Sequence, residues 1–280
     1  MKRAKQVFFA MCCVVGATAF LNLGMPPVLV GIDLGNLLNY ENQTVPAYIT
    51  QDNTPDSNPI TDEGATLGRV LFYDPLLSIN NEISCSHCHQ QEHAFSDLAE
   101  LSSGVGGNTE RHSMRLVNIR FGEDSLFRWD RSAGTLEEQM LIPIHHADEM
   151  GYSGTEGQPN MDDLIAEMQA TDYYPVLFEF AFGSSIITEE LMAKALAQFV
   201  RSIQSFDSRY DEGRMLVGSD LDDFPNFTPG ENAGKLLFLT DFEFETDTIE
   251  EQTVGGGIET FVVSKRISGG FNCGACHRAP

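Results

Sequence analysis

Two short stretches constrain this chain more than anything else in it: Cys85-Ser86-His87-Cys88-His89 and Cys273-Gly274-Ala275-Cys276-His277. Both read C-x-x-C-H, the attachment signature for a c-type haem. Two thiols add to the two haem vinyl groups, and the two intervening residues let both reach one porphyrin edge. The histidine after the second cysteine then serves as an axial ligand to the iron. The chain is therefore expected to carry two covalent c-type haems, on Cys85, Cys88 and His89 and on Cys273, Cys276 and His277. His87 is expected to be a spacer.

The remaining cysteines agree. Of six, four sit in the signatures and the others are Cys12 and Cys13, so no thiol is left for a disulfide framework. A zinc site or a redox C-x-x-C pair is the competing reading. Two copies in an exported chain weigh against it. Export is expected because Lys2, Arg3 and Lys5 precede an apolar run, Val7 to Ala19, that ends in the small-x-small site Ala17-Thr18-Ala19. Residues 1–19 thus read as a signal peptide and the location as periplasmic. An uncleaved membrane anchor stays open, although the run is short for a membrane span. The formal net charge of −24 makes nucleic acid and anionic lipid poor partners. A basic patch on a small redox protein would be attracted instead.

Residues 20–60 are rich in Pro, Asn, Asp and Thr and read as an N-terminal arm with little structure of its own. Thr61 opens a helix that places Leu67, Val70 and Leu71 on one face and ends near Asp74-Pro75. Gly104-Val105-Gly106-Gly107 is a glycine-rich loop, either free surface or a backbone lying close against a porphyrin face. Thr135 starts a capping box for a helix that stops at Pro143. Asn160 caps 161–170, a short aromatic helix spans 174–182, and Thr188 caps a helix from Glu189 to about Phe206. Residues 207–227 read as an interdomain connection. Thr228-Pro229 then starts a helix through Gly234-Lys235-Leu236-Leu237-Phe238. That pentapeptide matches Gly68-Arg69-Val70-Leu71-Phe72, and each precedes a C-x-x-C-H, so one haem-binding unit occurs twice. From glycine to first cysteine is 17 positions in the first copy (68 to 85) and 39 in the second (234 to 273). The extra length falls in Asp241–Gly257 and is expected to be a flexible surface loop. The chain ends at Pro280, three residues after His277, so the second unit is expected to be incomplete.

With these motifs in place, the chain resembles the bacterial dihaem cytochrome c peroxidases, a family that includes the methylamine-utilisation dihaem enzyme. The matching segments are Leu67 to Asp74, Ser84 to His89, Phe95-Ser96-Asp97, Arg111 to Asn118, Trp129-Asp130, Leu136 to Gln139, Pro143-Ile144, Glu149-Met150-Gly151, Ala195 to Ser202 and the second haem signature. The resemblance spans roughly residues 61–280. It implies that the first haem, with His89 proximal, reacts with peroxide, and that the second, with His277 proximal, receives electrons. It implies that Trp129 conducts electrons between the haems and that Glu149 is the acid beside the reacting iron, able to move a proton from one peroxide oxygen to the other. Gln139 matches an amide of the same pocket. Asn118 matches a position contributing to an interdomain calcium site. Val105 stands where many members carry a histidine that ligates the peroxide-reacting haem, and Arg128 stands where they carry the phenylalanine before the tryptophan.

The expected fold is mainly α, with two cytochrome c-like haem units: a peroxidatic domain over 61–210 and a partial electron-transfer domain over 211–280. The leading functional reading is a periplasmic peroxidase that reduces hydrogen peroxide to water with electrons from a small cytochrome c or cupredoxin. A homodimer is left open, as in relatives. The rivals are a dihaem oxidase acting on a protein or organic substrate, made credible by Val105, and a dihaem electron carrier without peroxide chemistry.

Overall fold

A computed structural model of the chain describes residues 32–122, 127–128, 130, 132–155 and 157–240, and the backbone course of 242–252 and 258–269. The fold over these residues is mainly α. The central pair is α1 (Asp62–Tyr73) and α6 (Glu189–Arg201). Thr61 caps α1 by accepting from the Gly64 amide, and Thr188 caps α6 by accepting from Leu191. Gly64 and Gly68 let the two helices touch at the backbone. A Cβ on Gly68 would stand 1.9 Å from the Ala195 carbonyl oxygen, and one on Gly64 would stand 2.2 Å from Gln198 Oε1. Almost all of α6 from Met192 to Arg201 is buried. Leu67, Leu71 and Phe72 of α1 join Leu196, Phe199 and Val200 of α6 in the main core.

Around this pair sit α2 (Cys85–Cys88), α3 (Leu136–His145), α4 (Met161–Gln169) and α5 (Tyr174–Phe182). Asp74, at the end of α1, ties α5 down: its Oδ2 accepts from the hydroxyls of Tyr173 (2.9 Å) and Tyr174 (2.7 Å). A buried polar network holds α3 to α6. Arg201 donates to both carboxylate oxygens of Glu137, at 2.6 and 3.0 Å, and Asn58 of the N-terminal arm donates to the same carboxylate at 2.7 Å. The described part of the arm, residues 32–60, has no helix or strand and is pinned at Tyr40, Asn53 and Asn58.

Four expectations are corrected. The α3 helix runs through Pro143 to His145, since proline removes only one backbone donor there. The α6 helix stops at Arg201 rather than near Phe206. The Ser202 hydroxyl turns back to the Phe199 carbonyl, and Asn118 draws the chain out: its amide N–H donates to Ile203, and its side chain pairs with the N–H and C=O of Ser205. Residues 207–227 contain α7 (Arg209–Arg214), which a Ser208–Asp211 capping box starts. It crosses the 210/211 boundary drawn from sequence. After α8 (Pro229–Leu239), residues 241–257 are not a loop throughout. The strand β1 (Phe242–Gln252) pairs antiparallel with β2 (Ile258–Gly269), with an irregularity between Glu243 and Phe244. No helix among the described residues is long and apolar enough to cross a membrane. The proposed signal peptide, residues 1–19, lies outside the described residues.

Candidate active site

The first signature folds as a single helical turn, α2, closed by the His89 amide on the Cys85 carbonyl at 2.9 Å. This turn brings Cys85, Cys88 and His89 to the wall of one cavity of about 990 Å³, large enough for a cofactor. His89 Nδ1 lies 2.8 Å from the Phe95 carbonyl oxygen. A carbonyl only accepts, so Nδ1 carries the proton and Nε2 keeps the free lone pair that a metal needs. Burial lowers the His89 pKa and favours that neutral ring. Burial also pushes the Cys85 thiol up to about 12 and raises Cys88.

The carbonyl that orients His89 is aimed by an unusual turn. Ala94 (φ 57°) and Phe95 (φ 56°) are consecutive left-handed residues, and neither is glycine. Each such residue costs about 1–3 kcal/mol. The loop that holds them is closed by Gln90 N–H on Ser96 O (2.8 Å) and Phe95 N–H on Gln90 O (2.9 Å). Phe72 of the repeated motif packs on Phe95 and on His89, with ring centroids 6.1 and 6.4 Å away. The motif's last residue thus backs the histidine.

The same cavity is lined by Gln139 of α3 and by His146 and Glu149 just after it. Glu149 is held by its backbone, which accepts from Val105 N–H at 3.0 Å, while Asp148 accepts from Gly106 at 3.1 Å. The glycine-rich loop therefore serves this segment. A Cβ on Gly104 would stand 2.0 Å from the Asp148 carbonyl oxygen. Val105 does not line the cavity; its side chain sits beside Gly151, as does that of Ile79. Burial raises the Glu149 pKa, and the nearby His146 and Arg128 oppose that rise. His146 Nδ1 is 3.8 Å from Glu149 Oε1. Gln139 Oε1 and His146 Nδ1 are buried with no hydrogen-bond partner. Two orphaned polar atoms in one cavity wall are what a bound group would satisfy.

Three arginines, Arg111, Arg115 and Arg128, line the cavity as well. Arg111 pairs with Asp130 at 3.4 Å. His112 uses both ring nitrogens, one on the Ala99 carbonyl (2.7 Å) and one on the Ser96 hydroxyl (3.0 Å). Asn118 also lines the cavity, but its amide is committed to Ser205. Among the described residues no group of three or more His, Cys, Asp or Glu is placed to hold a metal ion. Trp129, Cys273, Cys276 and His277 lie outside the described residues. His146, Arg115 and Arg128 were not singled out as site residues from sequence. For Arg128 a signal existed, because it replaces the phenylalanine before Trp129.

The family model for di-haem cytochrome c peroxidases matches residues 62–218. The methylamine utilization protein MauG of Methylophilus methylotrophus is 34% identical over 167 residues, 59% of this chain and 47% of that protein. The cytochrome c peroxidase Ccp of Escherichia coli is 27% identical over 177 residues, 61% of this chain and 36% of that protein. A crystal structure of a MauG-like protein associated with microbial copper homeostasis superposes with a TM-score of 0.60 at 34% identity, covering 70% of this chain and 54% of the other. The chain belongs to the di-haem cytochrome c peroxidase family. It spans about half the length of the curated relatives it matches. The match ends before the second C-x-x-C-H.

The haem that this family membership implies fits the first site. Both cysteines and the histidine face one cavity, His89 is held in the ligating tautomer, and orphaned polar atoms and guanidinium groups line the remainder.

Proposed function

We propose that this protein is a periplasmic peroxidase that reduces hydrogen peroxide to water with electrons from a small redox protein. The observation that carries the reading is Glu149 in the same cavity as Cys85, Cys88 and His89, with its carboxyl raised by burial. When bound, the haem supplies the iron that takes electrons and activates the O–O bond. The chain's residues handle orientation and protons. Cys85 and Cys88 would anchor the porphyrin edge, and His89 Nε2 would ligate the metal while the Phe95 carbonyl fixes the ring. Glu149 takes a proton from one peroxide oxygen and returns it to the other, so that water leaves. A carboxyl with a raised pKa is a stronger base than a solvated one, so it takes the first proton more readily. The Gln139 amide orients the oxygen that Glu149 serves. Each turnover consumes one peroxide, two protons and two electrons and yields two waters. Cys273, Cys276 and His277 would hold a second haem, which would supply the entry point for electrons, and Trp129 would conduct between the two.

Glu149→Gln keeps the shape of the side chain and removes its basicity. It is expected to retain haem at the wild-type ratio and to lose about 10²-fold or more of peroxide turnover. Full turnover in this variant would remove Glu149 from the mechanism.

One observation favours a second reading, oxidation of a protein or organic substrate. Val105 stands where many members carry a ligating histidine, and it packs at Gly151 outside the cavity wall. With Val105 at this position, the glycine-rich loop would offer no histidine to an iron held by His89. Oxidant would again be peroxide.

A further inference from the structure

Arg128 departs from the family pattern and has no role in the chemistry above. It lines the cavity together with Gln139, His146 and Glu149 and is half-buried. Its backbone lies in the left-handed region (φ 74°), an arrangement an arginine keeps only when the surroundings impose it. Its neighbour Phe127 is paired with Ala133 in an antiparallel bridge. The other cavity arginines differ. Arg111 is exposed and pairs with Asp130 at 3.4 Å, and Arg115 is exposed. Arg128 makes no hydrogen bond and no ion pair within 4 Å to a described residue, so its five donors are uncommitted among them. Its charge is nonetheless felt at Glu149 and at Asp130. A half-buried guanidinium with no hydrogen bond or ion pair to a described residue, lining the cavity that Glu149 also lines, offers its donors to an anion.

We infer that Arg128 makes this cavity an anion pocket, in which its guanidinium holds a small anionic ligand beside Glu149. The ligand class is a compact inorganic anion such as fluoride, or peroxide that has given one O–H proton to the Glu149 carboxylate and kept the charge on oxygen. The same guanidinium could instead meet a carboxylate of the haem itself, and the test separates the two. The inference rests on the haem reading of Cys85, Cys88 and His89.

The test uses the full-length haem-loaded chain and two probes followed in the visible spectrum at one pH: sodium fluoride, an anion, and imidazole, a neutral ligand. Arg128→Leu is expected to weaken fluoride binding at least about tenfold while imidazole affinity stays within about threefold. Arg128→Lys, which keeps the charge, is expected to restore most of the fluoride affinity. Fluoride affinity unchanged in Arg128→Leu would overturn the inference and leave Arg128 to a haem carboxylate. Equal weakening of both probes, or no rescue by lysine, would also overturn it, because a merely structural role predicts that result. Absence of covalent haem from the wild type would sink the haem reading as well, whereas a loaded chain indifferent to Arg128 sinks this inference alone.

Discussion

At the scale of single residues, the site and the scaffold use charge in opposite ways. Glu149 is half-buried beside groups that only partly offset its burial, so its carboxyl is raised and ready to exchange a proton. Glu137 faces burial too, which alone would raise it, but the hydrogen bonds from Arg201 and Asn58 outweigh burial and hold it below the ordinary glutamate range. Arg201 is 2% exposed, so removing its partner strands a buried cation. Glu137→Ala is expected to cost about 3–5 kcal/mol of stability in urea unfolding; a loss under about 1 kcal/mol would contradict the assigned role. The pH dependence follows from the direction of the shift. Glu137 stabilises the fold fully above its unfolded value near about 4.3, and that contribution is lost as pH falls through its lower folded value. As pH falls from about 4.3 through that lower value, the wild-type protein should therefore lose stability more steeply than Glu137→Ala does.

At the scale of elements, α1 and α6 form the frame that carries the haem histidine. Gly68 allows the contact, and Phe72, one turn on, backs His89. Gly68→Ala would press a methyl group into the Ala195 carbonyl, and backbone cannot yield as a side chain does. It is expected to lower stability by about 1–3 kcal/mol or more and to reduce haem retention, both read on purified protein; wild-type values for both would refute the packing argument. Much of this frame was legible in the sequence. Thr61, Thr135, Asn160 and Thr188 marked helix starts because a capping side chain acts locally. Helix ends were less legible. The end of α6 depends on Asn118, 85 positions from Ile203, and no local pattern reports such a partner. The course of α3 through Pro143 depends on packing that outweighs one lost hydrogen bond. The hairpin was missed for a different reason. The alternation Phe242-Glu243-Phe244-Glu245-Thr246-Asp247-Thr248 is a strand pattern, but its dense acidic side chains also give it the composition of a solvated loop.

At the scale of the whole molecule, Cys85, Cys88 and His89 stand out in the sequence because the C-x-x-C-H spacing is short and specific, whereas Glu149 is reached only through the family resemblance; the structure brings all four to one cavity. His146 and Arg128 were not legible as site residues, since only the fold shows that they share the cavity with Glu149. The duplicated Gly-basic-aliphatic-Leu-Phe motif points to two haem units, and only the first falls within the family match and the described cavity. The central claim is that Cys85, Cys88 and His89 hold a haem covalently in that cavity. The most direct measurement is haem per chain by the alkaline pyridine spectrum, on wild type and on the Cys85→Ala/Cys88→Ala double variant. The account predicts thioether-linked haem in both, with the double variant carrying one haem fewer per chain than the wild type. Equal haem content in the two proteins, or none in the wild type, would contradict it.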